Sequence, residues 1–474
     1  MNKRFQWKPF LSAVCAIAIP VALQNLLTNT GSIVDTMMIA SLGEQSVAAV
    51  GLCEQFSILV FSCYWGFVSG GMMFISQYFG ANDEAGMERS YGLMTAVCLF
   101  VAITASVLAV CFPHAVMSIY TDKPAIQAIG EDYVRIVGFA FPFNVLAVCS
   151  AGLLRATGHA KYPLYSSVMA VIVNVCLNYV LIYGRFGLPA LGVKGAAIAT
   201  VVSGVINFLS NHIFAKVHRI RYLFAFSAFF RWTKDFVRYF MKKIFPILCN
   251  EVMIGVSGSL ISIIFGRQQE EAIAAFAVIS VLEGIYLAFF SGYSNAAGIM
   301  IGNSVGAGRL KEAYSYAPRF VTLCALIIAA IDVPILIFRV PLLSALGLSG
   351  TSLRIGEGIL WIFAGIFIIR MNNWLLNDMF RAGGDSVYGT VCELTFMYLF
   401  VLPLLYVSAF VWALPFILLF AVRYSDELIR IFMMLFHMRS GKWIKPVTPE
   451  GRAAVPAFMK EIGRMRAEKA PSKM

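Results

Sequence analysis

Charge is what this sequence has little of. Lys, Arg, Asp and Glu make up 13% of its 474 residues, about half the roughly 25% of an ordinary water-soluble domain. A water-soluble fold of this size could not cover its surface with so few charges. Histidine is scarcer still: the five, His114, His159, His212, His218 and His437, are widely spaced and read as loop-borne or near span ends. No metal site is expected from them. None of the ten cysteines forms a C-x-x-C, and nearly all lie in apolar runs. They read as small buried hydrophobes, with neither disulfides nor a metal cluster expected. A Walker loop is missing, so ATP drive by this chain is not expected. Paired catalytic groups are missing too, so an enzyme is not expected.

What is present is hydrocarbon. Hydrophobic residues make up 59% of the chain and the mean hydropathy is +0.78. A helix needs about 20 apolar residues to cross a bilayer. Runs of that kind begin near residues 11, 52, 91, 131, 162, 191, 244, 273, 320, 355, 387 and 410. The expected fold is therefore an all-α membrane protein with about twelve transmembrane helices. The net charge of +12 does not spread over a face, as nucleic-acid binding would need. The cations gather before the first run (Lys3, Arg4, Lys8), in a 216–243 connector and in the tail after residue 438. By the positive-inside rule these segments and both termini are expected in the cytoplasm. The connector's aromatic cluster, Tyr222 to Trp232, is too short to span and reads as an interfacial segment. The tail from Pro449 reads as a short, solvated basic helix. The first run contains Gln24, Asn25 and Asn29 and shows no clear cleavage site, so it reads as a retained helix, not a signal peptide.

The most informative pattern is an internal repeat at one constant offset. It pairs Pro20 with Pro246, Ala48-Ala49 with Ala274-Ala275, Gly66 with Gly292, and Gly80-Ala81 with Gly306-Ala307. Further on it pairs Gly130-Glu131 with Gly356-Glu357, Phe141 with Phe367, Arg155-Ala156 with Arg381-Ala382, and Gly158 with Gly384. No gap is needed across the matched stretch. Two six-helix halves follow: a lobe at 1–215, the connector 216–243, a second lobe at 244–438 and the tail 439–474. An even number of spans per half gives both the same orientation, a parallel repeat, and transporters place substrate at the interface of such repeats.

The motifs are specific in their order. The first half carries Pro20-Val-Ala-Leu-Gln24-Asn25, Val34-Asp35-Thr36-Met37-Met38, Ala48-Ala49-Val50-Gly51, Gln77-Tyr78-Phe79-Gly80, Leu154-Arg155-Ala156-Thr157-Gly158 and Asn174 to Asn178. The second carries Pro246 to Glu251, Ile301-Gly302-Asn303-Ser304-Val305-Gly306, and Phe380-Arg381-Ala382-Gly383-Gly384-Asp385. Over roughly residues 10–435 the chain resembles the multidrug and toxic compound extrusion (MATE) family, in the variety common in anaerobic Gram-positive bacteria. The resemblance implies twelve helices in two lobes around a V-shaped cavity. It also implies drug or metabolite export by Na⁺ or H⁺ antiport, and a functional acid at Asp35. In the helix of Glu251 it implies an ion-coupling carboxylate.

Charge inside a span costs about 2.5–3.5 kcal/mol on insertion scales, so each such residue is a candidate. Asp35 and Glu251 are expected to couple the ion. Asn174 and Asn178, at i and i+4, share one helix face; with Asn372 and Asp378 they are expected to line the substrate or ion cavity, or to join helices by hydrogen bonds. Asn178 stands where some relatives have an acid; it can offer Na⁺ an oxygen but cannot carry a proton. Asn373 and Asn377 crowd the same span as Asp378, which is expected to pair with Arg381. Arg155 and Arg381 are expected to cap helices and gate. Arg135 and Arg370 either pair with Glu131, Asp332 or Glu357, or line a cavity that prefers anions. Glu54, Glu283 and Glu393 are secondary candidates.

The expected function is secondary-active export of amphipathic, cationic small molecules from a monomer in the plasma membrane, with lipid around it and no nucleic acid. No cofactor is expected beyond Na⁺ or H⁺ as coupling ion. Two alternatives stand: a lipid-linked oligosaccharide flippase of the same superfamily, with a cationic cavity, and an uncoupled channel.

Overall fold

A computed structural model of the chain describes residues 5–225 and 229–469. Lys3, Arg4, part of the connector's aromatic cluster and Lys473 lie outside the described residues. Among those described there is no strand. The helices are α1 (Trp7–Ala40), α2 (Glu44–Gly80), α3 (Glu84–Cys111), α4 (Pro113–Tyr120), α5 (Pro124–Val137), α6 (Ala140–Ala156), α7 (Lys161–Tyr183) and α8 (Val193–Val217). There follow α9 (Lys234–Phe265), α10 (Glu270–Gly306), α11 (Leu310–Ile337), α12 (Arg339–Ala345), α13 (Gly350–Ala382), α14 (Tyr388–Phe396), α15 (Leu402–Phe410), α16 (Phe416–Arg423), α17 (Glu427–Ser440) and α18 (Pro449–Lys469). Among the described residues ten helical segments are long and apolar enough to cross a membrane, and α5 with α6 forms an eleventh, bent by 48°. The chain is a multi-pass membrane protein.

Two compact units divide the chain. Unit 1 is residues 1–75 and 84–244; unit 2 is 76–83 and 245–474. In unit 1, α7 packs on α1 and α8, and α6 packs on α3 and α8. In unit 2, α13 packs on α10, α11 and α17. The repeat is visible in the helix bounds. Shifted by the offset that carries Pro20 onto Pro246, the bounds 44–80 and 84–111 become 270–306 and 310–337, those of α10 and α11.

Two of the prolines that enter one copy only mark local differences between the copies, whereas Pro318 and Pro334 leave α11 unbroken. Pro142 has no N–H for the carbonyl four residues back, and its ring disfavours a helical residue before it. The helix of unit 1 accordingly bends between Val137 and Ala140. Its counterpart position holds Ile368, and α13 runs unbroken. Conversely, Pro403 follows a π-helical turn, Met397–Val401, between α14 and α15, while its counterpart Leu177 sits in the straight α7. Such turns form where the regular ladder is interrupted.

Two expectations are corrected. The twelfth span, expected from residue 410, is instead two short helices, α16 and α17, parted at residues 424–426. Arg423, Asp426, Glu427 and Arg430 fall within eight positions there, and they are held by polar partners inside unit 2. The tail, expected to be solvated, packs into unit 2. Trp443 is fully buried and donates its indole N–H to Met438 O at 3.0 Å. Thr448 donates to Gly306 O at 2.8 Å, and the Val447 N–H donates to Gln77 Oε1 at 2.8 Å. Gln77, in the last turn of α2, also donates to Ala382 O at 2.7 Å. Burial alone raises the Asp385 carboxyl, but hydrogen bonds from His437 (3.0 Å) and Lys445 (2.8 Å) outweigh it and hold the group below its ordinary value.

Glycine explains part of the repeat. A Cβ on Gly306 would meet the Gln77 backbone, and one on Gly80 the Asn303 backbone. The last turns of α2 and α10 touch through glycines, as small residues allow in membrane helices. Gly158 and Gly384 both end helices with positive φ, 81° and 95°, which glycine adopts without steric cost.

Candidate functional site

In unit 1 the site is built on α1 and α7. Asp35 lies within α1, five residues before its end, and is not a loop acid. Asn178 of α7 donates its amide N–H to Asp35 Oδ1 at 2.5 Å. Asn174, one turn earlier on the same face, donates to the same oxygen at 2.7 Å with its amide turned toward it. Both asparagines are buried, and Asn178 Oδ1 has no hydrogen-bond partner. Two helical turns and more along the same seam, Gln24 donates to Ser167 Oγ at 2.9 Å. Among the described residues no Lys, Arg or His forms an ion pair with Asp35. The carboxylate therefore has amide donors but no opposite charge.

Unit 2 keeps the seam and changes its chemistry. The repeat carries Gln24 and Ser167 onto Asn250 and Glu393, and Asn250 donates to Glu393 Oε2 at 3.1 Å. Asn377 donates to the same oxygen at 2.9 Å, and Arg430 lies 3.4 Å from the other. Arg430 also pairs with Asp426 at 2.9 Å, and Asn373 donates to Glu427 Oε2 at 2.7 Å.

Glu251 is not free in this arrangement. Its carboxylate takes a charge-assisted bond from Arg381 Nη1 at 2.8 Å. Asp378 lies 3.7 Å from the same guanidinium and accepts from Ser294 Oγ at 2.5 Å. The expected pairing of Asp378 with Arg381 is thus present but is the longer of two. Arg381, expected to cap and gate, is buried and serves as counter-charge to both acids. Arg155, its counterpart in unit 1, has no acid partner among the described residues. The sequence says why: Glu251 and Asp378 correspond to Asn25 and Gly152.

The remaining candidates separate. Asn372 bonds within its own helix, to Ile368 O at 2.8 Å. Arg370 pairs with none of Glu131, Asp332 or Glu357. It bonds Glu283 of α10, with Tyr424 Oη at 3.1 Å, and Arg423 approaches Glu283 at 3.9 Å. Arg135 is exposed. Glu131 faces His114 at 2.8 Å and Glu357 faces Arg339 at 3.5 Å. Six carboxylates (Glu251, Glu283, Asp378, Glu393, Asp426, Glu427) thus share four guanidiniums (Arg370, Arg381, Arg423, Arg430) inside unit 2. Asp426, Glu427, Arg423 and Arg430 were not singled out from the sequence. Their signal was four charges in eight positions of an apolar stretch.

A duplicated bundle of membrane helices with ionisable groups inside its spans is the build of a secondary-active membrane transporter. The MatE family model matches residues 20–180 and again 246–407. The two matches start at Pro20 and Pro246, the pair that sets the repeat, and the chain belongs to this family. A probable multidrug resistance protein of Bacillus subtilis, YoeA, is 24% identical over 379 residues, covering 79% of this chain and 82% of the relative. An uncharacterized transporter of the same organism, YisQ, is 24% identical over 434 residues, covering 90% and 93%. An aspartate-to-asparagine mutant of the Vibrio cholerae MATE transporter VcmN aligns with a TM-score of 0.82 at 17% identity, over 91% of this chain and 97% of that one. This likeness carries the fold.

Proposed function

We propose that this protein exports amphipathic cations across the plasma membrane in exchange for H⁺ or Na⁺, with both termini in the cytoplasm. One observation carries the proposal: Asp35 sits in a span with two amide donors and no cationic partner among the described residues. An ionised carboxylate there is costly until something neutralises it. A proton on Oδ2 would do so. So would Na⁺, a hard cation suited to carboxylate and amide oxygens, and the unpartnered Asn178 Oδ1 is such an oxygen.

Unit 2 supports the same reading in a different form. Arg381 brings one positive charge to two carboxylates, Glu251 and Asp378, so one acid remains to be neutralised by an ion or a cationic substrate. Such a group can exchange ion for substrate as it is exposed to one side of the membrane and then the other. Inward movement of the coupling ion is favoured by about 2.3 kcal/mol per charge per 100 mV. The names of several relatives, probable multidrug resistance proteins, agree with a broad substrate range.

The test is efflux of a fluorescent organic cation from proteoliposomes under an imposed proton or sodium gradient. Asp35→Asn is expected to lower gradient-driven export at least ten-fold while leaving the folded fraction unchanged. Undiminished export by that variant would remove Asp35 from the coupling role. Export that needs neither gradient would remove the antiport.

A further inference from the structure

The two acids that share Arg381 each follow an asparagine: Asn250 precedes Glu251 in α9, and Asn377 precedes Asp378 in α13. Consecutive residues of a helix point about 100° apart, so each helix presents an acid to one side and an amide to another. Both amides converge on one atom. Asn250 and Asn377 donate to Glu393 Oε2 of α14, at 3.1 and 2.9 Å. Both asparagines are buried. The other oxygen of Glu393 lies 3.4 Å from Arg430, which is itself anchored on Asp426 at 2.9 Å. One carboxylate oxygen therefore ties α9 to α13 within a turn of the place where Arg381 of α13 bonds Glu251 of α9. A second attachment follows on α9. Tyr398, in the π-helical turn after α14, donates its hydroxyl to Met253 O at 2.7 Å. Glu251 thus lies between two points, Asn250 and Met253, at which the α14 segment holds α9. Such π-helical turns recur at functional sites.

The repeat sets this arrangement apart from ordinary helix joining. Acids and clamp occur together in unit 2, and at their counterparts unit 1 has neither: Asn25, Ala151, Gly152 and Ser167 stand where unit 2 has Glu251, Asn377, Asp378 and Glu393. The equivalent seam of unit 1 closes with an amide and a hydroxyl, Gln24 to Ser167, so joining these helices does not need a carboxylate. Holding two amides on one atom needs an acceptor with room for both, which a carboxylate oxygen supplies.

We propose that Glu393 is a positioning residue for ion coupling: by accepting from Asn250 and Asn377 at once, it fixes Glu251 and Asp378 against the one guanidinium they share. The role rests on the reading that these two acids handle the coupling ion. Charge interactions weaken with distance, so a shift of α9 against α13 changes how Arg381 divides itself between the acids. Glu393→Leu removes the acceptor. Glu393→Gln keeps an oxygen for both amides and gives up the charge, with Arg430 still held by Asp426. Asn377→Ala removes one arm of the clamp and leaves the Glu393–Arg430 contact in place, so it answers the question even where Glu393→Leu does not fold.

The experiment is ethidium export from proteoliposomes holding the full chain, with initial rates measured against the concentration of the driving ion and, separately, against ethidium. Misplacing a working group by about 1 Å can cost up to about a hundred-fold; Glu393→Leu and Asn377→Ala are expected to raise the half-saturating ion concentration about ten-fold or more, with that for ethidium changed less than about two-fold. Glu393→Gln is expected to match the wild type in both. A residue that only holds the fold would lower the maximal rate and leave the half-saturating ion concentration where it was, and that result overturns the proposal. Glu393→Gln as impaired as Glu393→Leu also overturns it, because the charge and not the shared acceptor would then matter. The control is the double variant Glu251→Gln, Asp378→Asn. Wild-type ion dependence in that double variant overturns the reading of the two acids and the positioning role with it. Ion dependence lost there but unmoved in Glu393→Leu and Asn377→Ala overturns the positioning role alone.

Discussion

An acid inside a span persists only where something answers its charge, and this chain answers in two ways. Glu251 and Asp378 face an internal guanidinium, Arg381. Asp35 faces amides alone. The first arrangement makes a stability prediction. Removing one partner of a buried pair leaves an uncompensated charge and costs about 3–5 kcal/mol. Arg381→Leu is therefore expected to lower the thermal unfolding midpoint of the detergent-solubilised protein sharply, and adding Glu251→Gln should restore most of it. Equal loss in the single and double variants would show that Arg381 acts by packing, not as a counter-charge. At this scale the sequence was partly legible. Asp35, Asn174 and Asn178 stood out as polar groups in apolar runs, and the structure joins them. The Glu251–Arg381 pair did not stand out, because 130 residues separate the partners and no local spacing encodes such a contact.

At the scale of helices the repeat governs what can change. Long apolar stretches and shared boundaries were readable because a membrane helix must be predominantly apolar over about 20 residues. The kink at Pro142, the π-helical turn before Pro403 and the division of the last span were not foreseen. Proline alone does not announce the first two, since α11 runs unbroken through Pro318 and Pro334, and the charges beside residues 424–426 find partners on other helices. In the stretch from residue 410 the apolar first half resembles a span, but the helix parts at residues 424–426, where Arg423, Asp426, Glu427 and Arg430 take polar partners. The glycines give a sharper test. Gly306→Ala would press a methyl into the Gln77 backbone, and overpacking of this kind costs about 1–3 kcal/mol. Gly255→Ala in α9 meets nothing within 4 Å and should be neutral. Thermal unfolding of the two variants side by side checks this. Equal midpoints would mean that the α2 and α10 ends are not in the close contact described.

For the whole molecule, the duplication was legible as one unbroken offset, from Pro20 and Pro246 through Gly158 and Gly384, and it recurs in the helix bounds and in the two family matches. What the duplication did not carry over is the chemistry. The seam that reads Gln24–Ser167 in one unit reads Asn250–Glu393 in the other, and the acids differ in number and partners. A transporter can divide its labour in this way, with similar scaffolds holding different ion chemistry. The proposed export rests on an acid that lacks a built-in counter-charge and is shared between coupling ion and cationic substrate. Proton release on substrate binding measures this most directly, with the purified chain in weakly buffered detergent solution and a pH-sensitive dye. A saturating organic cation, or Na⁺, is expected to release protons from the wild type and fewer from Asp35→Asn. Cation binding at full affinity with no proton release and no competition by Na⁺ would contradict it.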